Sequence, residues 1–168
     1  MKKRVSKKAE GFLGMGFGMI FSIFLIVIFL IVAIYAITKF LDYKNCSQVG
    51  LFIKNFQDEI TVAFNKQQSS FPFEAALPTN IKYVCFANFS KAMKGSYSDI
   101  GMKLQSFDNR YNMFFYPREK SCIATKGITH LNLDLIIKDS NPYCIPASRG
   151  RIEIQILKGF NDGLVRIA

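Results

Sequence analysis

The chain has 168 residues, half of them hydrophobic, with 17 phenylalanines and a formal net charge of +10. Setting aside a basic tip and one long apolar run leaves about 125 residues, the size of one domain that can bury a core without a structural metal. The tip holds Lys2, Lys3, Arg4, Lys7 and Lys8 against Glu10, and beyond it 17 basic residues face 11 acidic ones, which excludes a polycation and leaves an ordinary, mildly basic surface.

Residues 1–10 read as a cytoplasmic basic tip. Residues 11–38 carry no charge, and as a helix they would be about 42 Å long at roughly 1.5 Å per residue. A bilayer core needs only about 20 apolar residues. A buried core helix of this length would show a polar face, yet Phe21 to Val32 is apolar on every side apart from Ser22. A cleaved signal would have a shorter apolar region of about 7–15 residues and a small-x-small site, whereas Ala33 and Ala36 have the wrong spacing. The segment is therefore expected to be an uncleaved transmembrane helix. Basic residues crowd its N-terminal side, while Lys39, Lys44 and Lys54 beyond it are diluted by Asp42. That asymmetry places the N-terminus in the cytoplasm and residues 39–168 outside the cell membrane. Gly14 and Gly18 form a GxxxG pair, a face on which two membrane helices can approach closely.

Asp42-Tyr43-Lys44-Asn45-Cys46-Ser47 reads as a polar break after the membrane helix. Val49, Phe52, Ile53, Phe56, Ile60, Ala63 and Phe64 then recur at helical spacing, with Lys54, Asn55, Asp58, Glu59 and Lys66 opposite, so an amphipathic helix is expected over 48–67. Its polar face is not enriched in lysine or arginine, which favours packing on a sheet over lying on a membrane. Gln67-Gln68-Ser69-Ser70 and Pro72 end it.

Strands are expected at Ile81–Phe86, Tyr111–Tyr116, Thr129–Ile137 and Arg151–Lys158, with a short helix near Tyr97–Leu104. Gly159–Gly163 reads as a hairpin loop returning along Leu164–Ile167. The sum is an α+β architecture: an N-terminal transmembrane helix, then an amphipathic helix packed on an antiparallel β-sheet, stapled by disulfides.

Cys46, Cys85, Cys122 and Cys144 all follow the membrane helix. No pair has the close spacing of a zinc site or a redox CxxC motif, so two disulfides are expected. Of three connectivities, Cys46–Cys85 and Cys122–Cys144 are favoured: one ties the helix start to the first strand, the other closes a C-terminal loop.

Chemistry is sparse. His130 is the only histidine and falls on the polar side of an expected strand. No carboxylate pair stands out as a general acid and base, and no phosphate-binding glycine loop follows a strand. No catalytic, cofactor or metal residues are expected and the chain is read as not an enzyme; a thiol enzyme using Cys122 and His130 is the least supported reading. Arg110 to Lys120 mixes aromatic and basic residues, but a strand whose rings fill the core accounts for it better than a nucleic-acid surface. Asn45-Cys46-Ser47 and Asn88-Phe89-Ser90 match the glycosylation sequon at about the frequency chance allows.

The layout of Lys7-Lys8-Ala9, then Glu10, then an apolar helix, an amphipathic helix, a sheet and a cysteine-bounded C-terminal loop resembles type IV pilins and archaeal proteins with class III signal sequences. The Ile-, Phe- and Lys-rich style also resembles small single-pass archaeal membrane proteins. The pilin resemblance implies cutting after Ala9, leaving Glu10 first, and bundling of the freed helices into a filament. The leading expectation is an anchored protein with a structural or interaction role in the envelope. Its partners would be the lipid bilayer and another envelope protein, or a second copy through the Gly14/Gly18 face. A pilin-like subunit is the first alternative.

Overall fold

The computed structural model describes residues 10–105 and 110–168, the side chains of residues 10–15 and 17 excepted. Contacts divide the chain into two units, with the boundary between Tyr43 and Lys44.

The first long element is one helix, α1 (Glu10–Asn65), 56 residues in length. The expected break at Asp42–Ser47 is absent. Those six residues include no glycine or proline, and polar side chains cost a helix only a few tenths of a kcal/mol each. Polarity there ends the apolar run without ending the helix. In the N-terminal unit every described side chain from Gly18 to Tyr43 is exposed.

In the second unit, the last turns of α1 bury Val49, Phe52, Ile53, Phe56, Ile60 and Ala63, one stripe at the three-and-four spacing of a helix face. Among the described residues, seven strands and two short α-helices follow, with a 3-10 turn at Arg118–Lys120: β1 (Ser69–Ala76), β2 (Tyr83–Phe86), α2 (Ser98–Leu104), β3 (Met113–Tyr116), β4 (Thr125–Lys126), α3 (Leu133–Ile136), β5 (Tyr143–Pro146), β6 (Arg151–Lys158) and β7 (Arg166–Ile167). They form two antiparallel sheets, β1-β6-β7 and β4-β3-β2-β5, where a single sheet was expected.

The stripe on α1 shares one apolar cluster with both sheets. Phe52 meets Phe73 of β1 and Phe115 of β3, each with ring centres 5.7 Å apart. Phe56 meets Phe73 at 5.3 Å and Phe86 of β2 at 5.9 Å. Such ring pairs add roughly 0.5–1.5 kcal/mol beyond area burial. The four-stranded sheet is buried on both faces. Val84 and Phe86 belong to this cluster, while Cys85, Phe114 and Cys144 enter a second one with Leu104 of α2.

Three strands escaped the sequence reading: β1, β5 and the two-residue β4, which pairs with β3. β1 contains Pro72, taken above as a stop signal. The Leu77 N–H donates to the Gly150 carbonyl just past β1, so odd-numbered positions of β1 bond toward β6 and Pro72 turns its nitrogen to the free edge. That is the place where a strand tolerates proline. β5 starts just after Pro142 and ends on Pro146, and was likewise not expected.

One expected strand is not a strand. Within Thr129–Ile137, His130 takes a left-handed conformation (φ 65°), and the Asn132 carboxamide oxygen accepts from the Leu135 N–H at 3.2 Å. This N-cap starts α3 and converts the alternating pattern into a single helical turn. Arg151–Lys158 forms β6 as expected, and Ser98–Leu104 of the expected short helix forms α2.

Candidate functional site

The four cysteines form two disulfides, Cys46–Cys122 and Cys85–Cys144. This corrects the expected Cys46–Cys85 and Cys122–Cys144 pairing. The reason is strand register: β2 pairs with β5 so that Cys85 faces Cys144 directly, with 4.0 Å between their Cα atoms. The remaining pair joins α1 to the segment before β4, with Cα atoms 5.5 Å apart. Loops of this separation, 76 and 59 residues, correspond to about 4 kcal/mol each on chain-entropy grounds. Cys85 and Cys144 are buried, whereas Cys122 is exposed.

No free thiol remains to act with His130. His130 lies over Phe64 of α1, ring centres 3.9 Å apart and nearly parallel, and the Lys158 ammonium sits 5.2 Å from the same ring. The imidazole is half-buried, not exposed as the strand reading implied. Among the described residues no group of three or more His, Cys, Asp or Glu side chains is placed to hold a metal ion. In the stretch from Arg110 to Lys120, Met113, Phe114 and Phe115 are fully buried, so these side chains serve the core and present no stacking surface.

Asn141 is the polar residue that the sequence reading missed. It is 1% exposed. Its carboxamide oxygen accepts from Asn88 N–H at 3.1 Å, and its Nδ2 donates to the carbonyls of Asn88 and Ala92 at 2.9 and 3.2 Å. Its backbone exchanges two further bonds with Lys94. One buried carboxamide therefore pins the whole 88–94 loop. The Asn-Pro step at 141–142 was the available sequence signal, since it marks a turn. Tyr143, next along, has its phenol pushed above the usual tyrosine range by burial and, secondarily, by Tyr97.

Shallow grooves formed by described residues mark the surface of this unit. One, of about 430 Å³, runs between α1 and β1 and is lined by Asn55, Asp58, Glu59, Phe71, Pro72, Phe73 and Glu74. A second, of about 360 Å³, is rimmed by Lys91, Lys94 and Lys138 with Asp134, over Asn141. A third, of about 460 Å³, lies beside the first and includes Glu74, Arg151 and Glu153.

Of the positions singled out in the N-terminal segment, Ala9 lies outside the described residues. Glu10 is the first residue of α1. Gly14 is helical, its surroundings lying outside what is described, and Gly18 has open space where a side chain would stand.

These features define an α+β protein with one long apolar N-terminal helix, antiparallel sheets and two disulfides. The helix is long and apolar enough to cross a membrane, and the disulfides fit an oxidising compartment. No family model, curated protein or solved structure matches the chain.

Proposed function

We propose that this chain is a single-pass membrane protein whose extracytoplasmic domain has a structural or interaction role in the cell envelope, and that it is not an enzyme. One observation carries this reading: in the N-terminal unit, the large apolar side chains from Met19 to Phe40 are all exposed. Leaving a Leu, Ile or Phe side chain in water costs roughly 1.5–3 kcal/mol relative to burying it. Summed over the segment, that exceeds the roughly 5–15 kcal/mol by which a whole domain is stable, so lipid is the solvent that fits. The basic tip favours a cytoplasmic N-terminus, and the disulfides favour an outer location for the domain.

The test is a membrane-impermeant thiol reagent applied to intact cells, with and without prior reduction. Labelling that requires reduction is expected. Labelling of lysates after reduction, with none on reduced intact cells, would reverse the topology, and release of the chain by alkaline carbonate would remove the anchor.

A second reading is favoured by the unbroken course of α1. Pilin-like proteins carry one helix from the membrane segment into a domain whose strands it meets, and here α1 continues through Asp42–Ser47 with Phe52 and Phe56 among strand residues. In that reading the bond after Ala9 is cut and the chain becomes a filament subunit. The intact mass of the purified protein separates the two: loss of residues 1–9 supports the filament subunit, and full length supports the permanent anchor.

A further inference from the structure

The unit Lys44–Ala168 contains 16 basic and 10 acidic residues, yet its charges are not evenly mixed. The groove between α1 and β1 presents Asp58, Glu59 and Glu74 and no basic side chain among its lining residues. Lys54 reaches Asp58 at 3.2 Å from the same helix, an exposed pair. Glu74 also stands directly opposite Glu153 across the β1–β6 pairing, both exposed. Like charges at opposed positions repel. Arg151 shares the adjoining groove, while Glu153 accepts a bond from Gln155 at 3.2 Å. β1 is the terminal strand of its sheet, so this acidic strip borders an edge with no neighbouring strand among the described residues. Phe71 and Phe73 also line the groove, and the Lys66 ammonium stands 5.9 Å from the Phe71 ring centre.

The same unit carries a complement. Lys91, Lys94 and Lys138 rim the second groove against the single carboxylate of Asp134. Lys91 is held to Asp134 at 2.7 Å, and the Lys94 ammonium donates to the Lys138 carbonyl. The loop bearing Lys91 and Lys94 is fixed from beneath by Asn141, so its cations are presented on a held backbone.

We propose that copies of this chain dock head to tail, the acidic groove beside β1 of one copy receiving the Lys91–Lys94 loop and Lys138 of the next. The two patches share no residue; engaged in one direction, groove to loop, the contact is heterologous, and such contacts give a ring where the rotation closes and an open row where it does not. The proposal rests on the anchored reading above: a common membrane orientation raises the effective concentration of copies for one another. Surface ion pairs are individually weak and screened by salt, so the association is expected to need the membrane and to fall with ionic strength.

The test uses full-length protein reconstituted into vesicles from equal amounts of ¹⁴N- and ¹⁵N-labelled chain, treated with a zero-length carbodiimide that joins carboxylates to amines. Mixed-isotope peptides linking Glu59, Glu74 or Glu153 to Lys91, Lys94 or Lys138 are expected. The Lys91–Asp134 link supplies the same-isotope control within one copy. Glu59→Lys with Glu74→Lys removes two reactive carboxylates, so the readout is the mixed link from Glu153, which should fall about tenfold, as two new like-charge contacts would require. Adding Lys94→Glu and Lys138→Glu to that chain should restore mixed links with carboxylate and amine exchanged. Absence of mixed-isotope links in the wild type, or mixed links insensitive to the charge reversal, overturns the proposal. Carbonate extraction of the same vesicles reports separately on anchoring, so failure of the docking is distinguishable from failure of the anchor.

Discussion

Lys158, the last residue of β6, donates from its ammonium to the carbonyl of Phe64 at 2.5 Å and to that of Lys66 at 2.8 Å. The last turn of α1 contains no basic residue of its own. A helix C-terminus leaves four carbonyls without intrahelical partners and carries partial negative charge. A lysine 92 residues further along the chain supplies the cation. Replacing it with Met keeps much of the apolar stem over Phe64 and removes the charge. Lys158→Met should destabilise the domain by about 1–2 kcal/mol, read as a lower urea midpoint. An unchanged midpoint would mean that water caps the helix equally well.

The two disulfides should separate on reduction. Cys85 and Cys144 are 0% and 5% exposed, whereas Cys122 lies at the surface. Exchange requires a thiolate to reach sulfur. Without denaturant, a mild reductant should open Cys46–Cys122 first, and alkylation followed by peptide mass mapping should find Cys46 and Cys122 modified while the inner pair stays closed. Simultaneous loss of both would show that the domain opens as a whole before exchange.

Asn141 answers the polar groups of a loop, not those of an element. Asn141→Ala leaves the Asn88 N–H and the carbonyls of Asn88 and Ala92 without their partner in a buried site. The expected cost is about 2–4 kcal/mol, one to three unmet buried groups at roughly 1–3 kcal/mol each with some recovery through water. Limited trypsin digestion should then cut at Lys91 or Lys94 well before the rest of the domain. Protection equal to wild type would place the loop's stability elsewhere.

How much of this was readable in advance follows from where the physics is local. The stripe from Val49 to Ala63 was legible because a helix repeats its own geometry, and β6 was legible because Ile152, Ile154 and Ile156 alternate on one buried face. β2 showed only an apolar run, because its sheet is covered on both sides. β1 was hidden by Pro72, whose acceptability depends on which edge β6 leaves open. The disulfide pairing followed from that kind of ignorance: Cys85 meets Cys144 only because β5 exists, and β5 is bracketed by prolines. The acidic groove is assembled from α1 and β1, so no window of sequence contains it.

Tyr143 provides the pH-dependent prediction. Burial, aided by Tyr97, raises its pKa above the ordinary value of 10.0, so the folded domain holds the phenolic proton to higher pH than the unfolded chain does. The unfolded state therefore releases this proton first as alkali is added. Linkage makes the contribution complete below about pH 10 and removes it as the pH rises through the folded pKa. The isolating comparison is Tyr143→Phe, which has no phenol to ionise. Urea midpoints measured from pH 8 to 12 should fall for both proteins, and more steeply above pH 10 for the wild type. Parallel curves would show that Tyr143 ionises as easily in the folded domain as in the open chain.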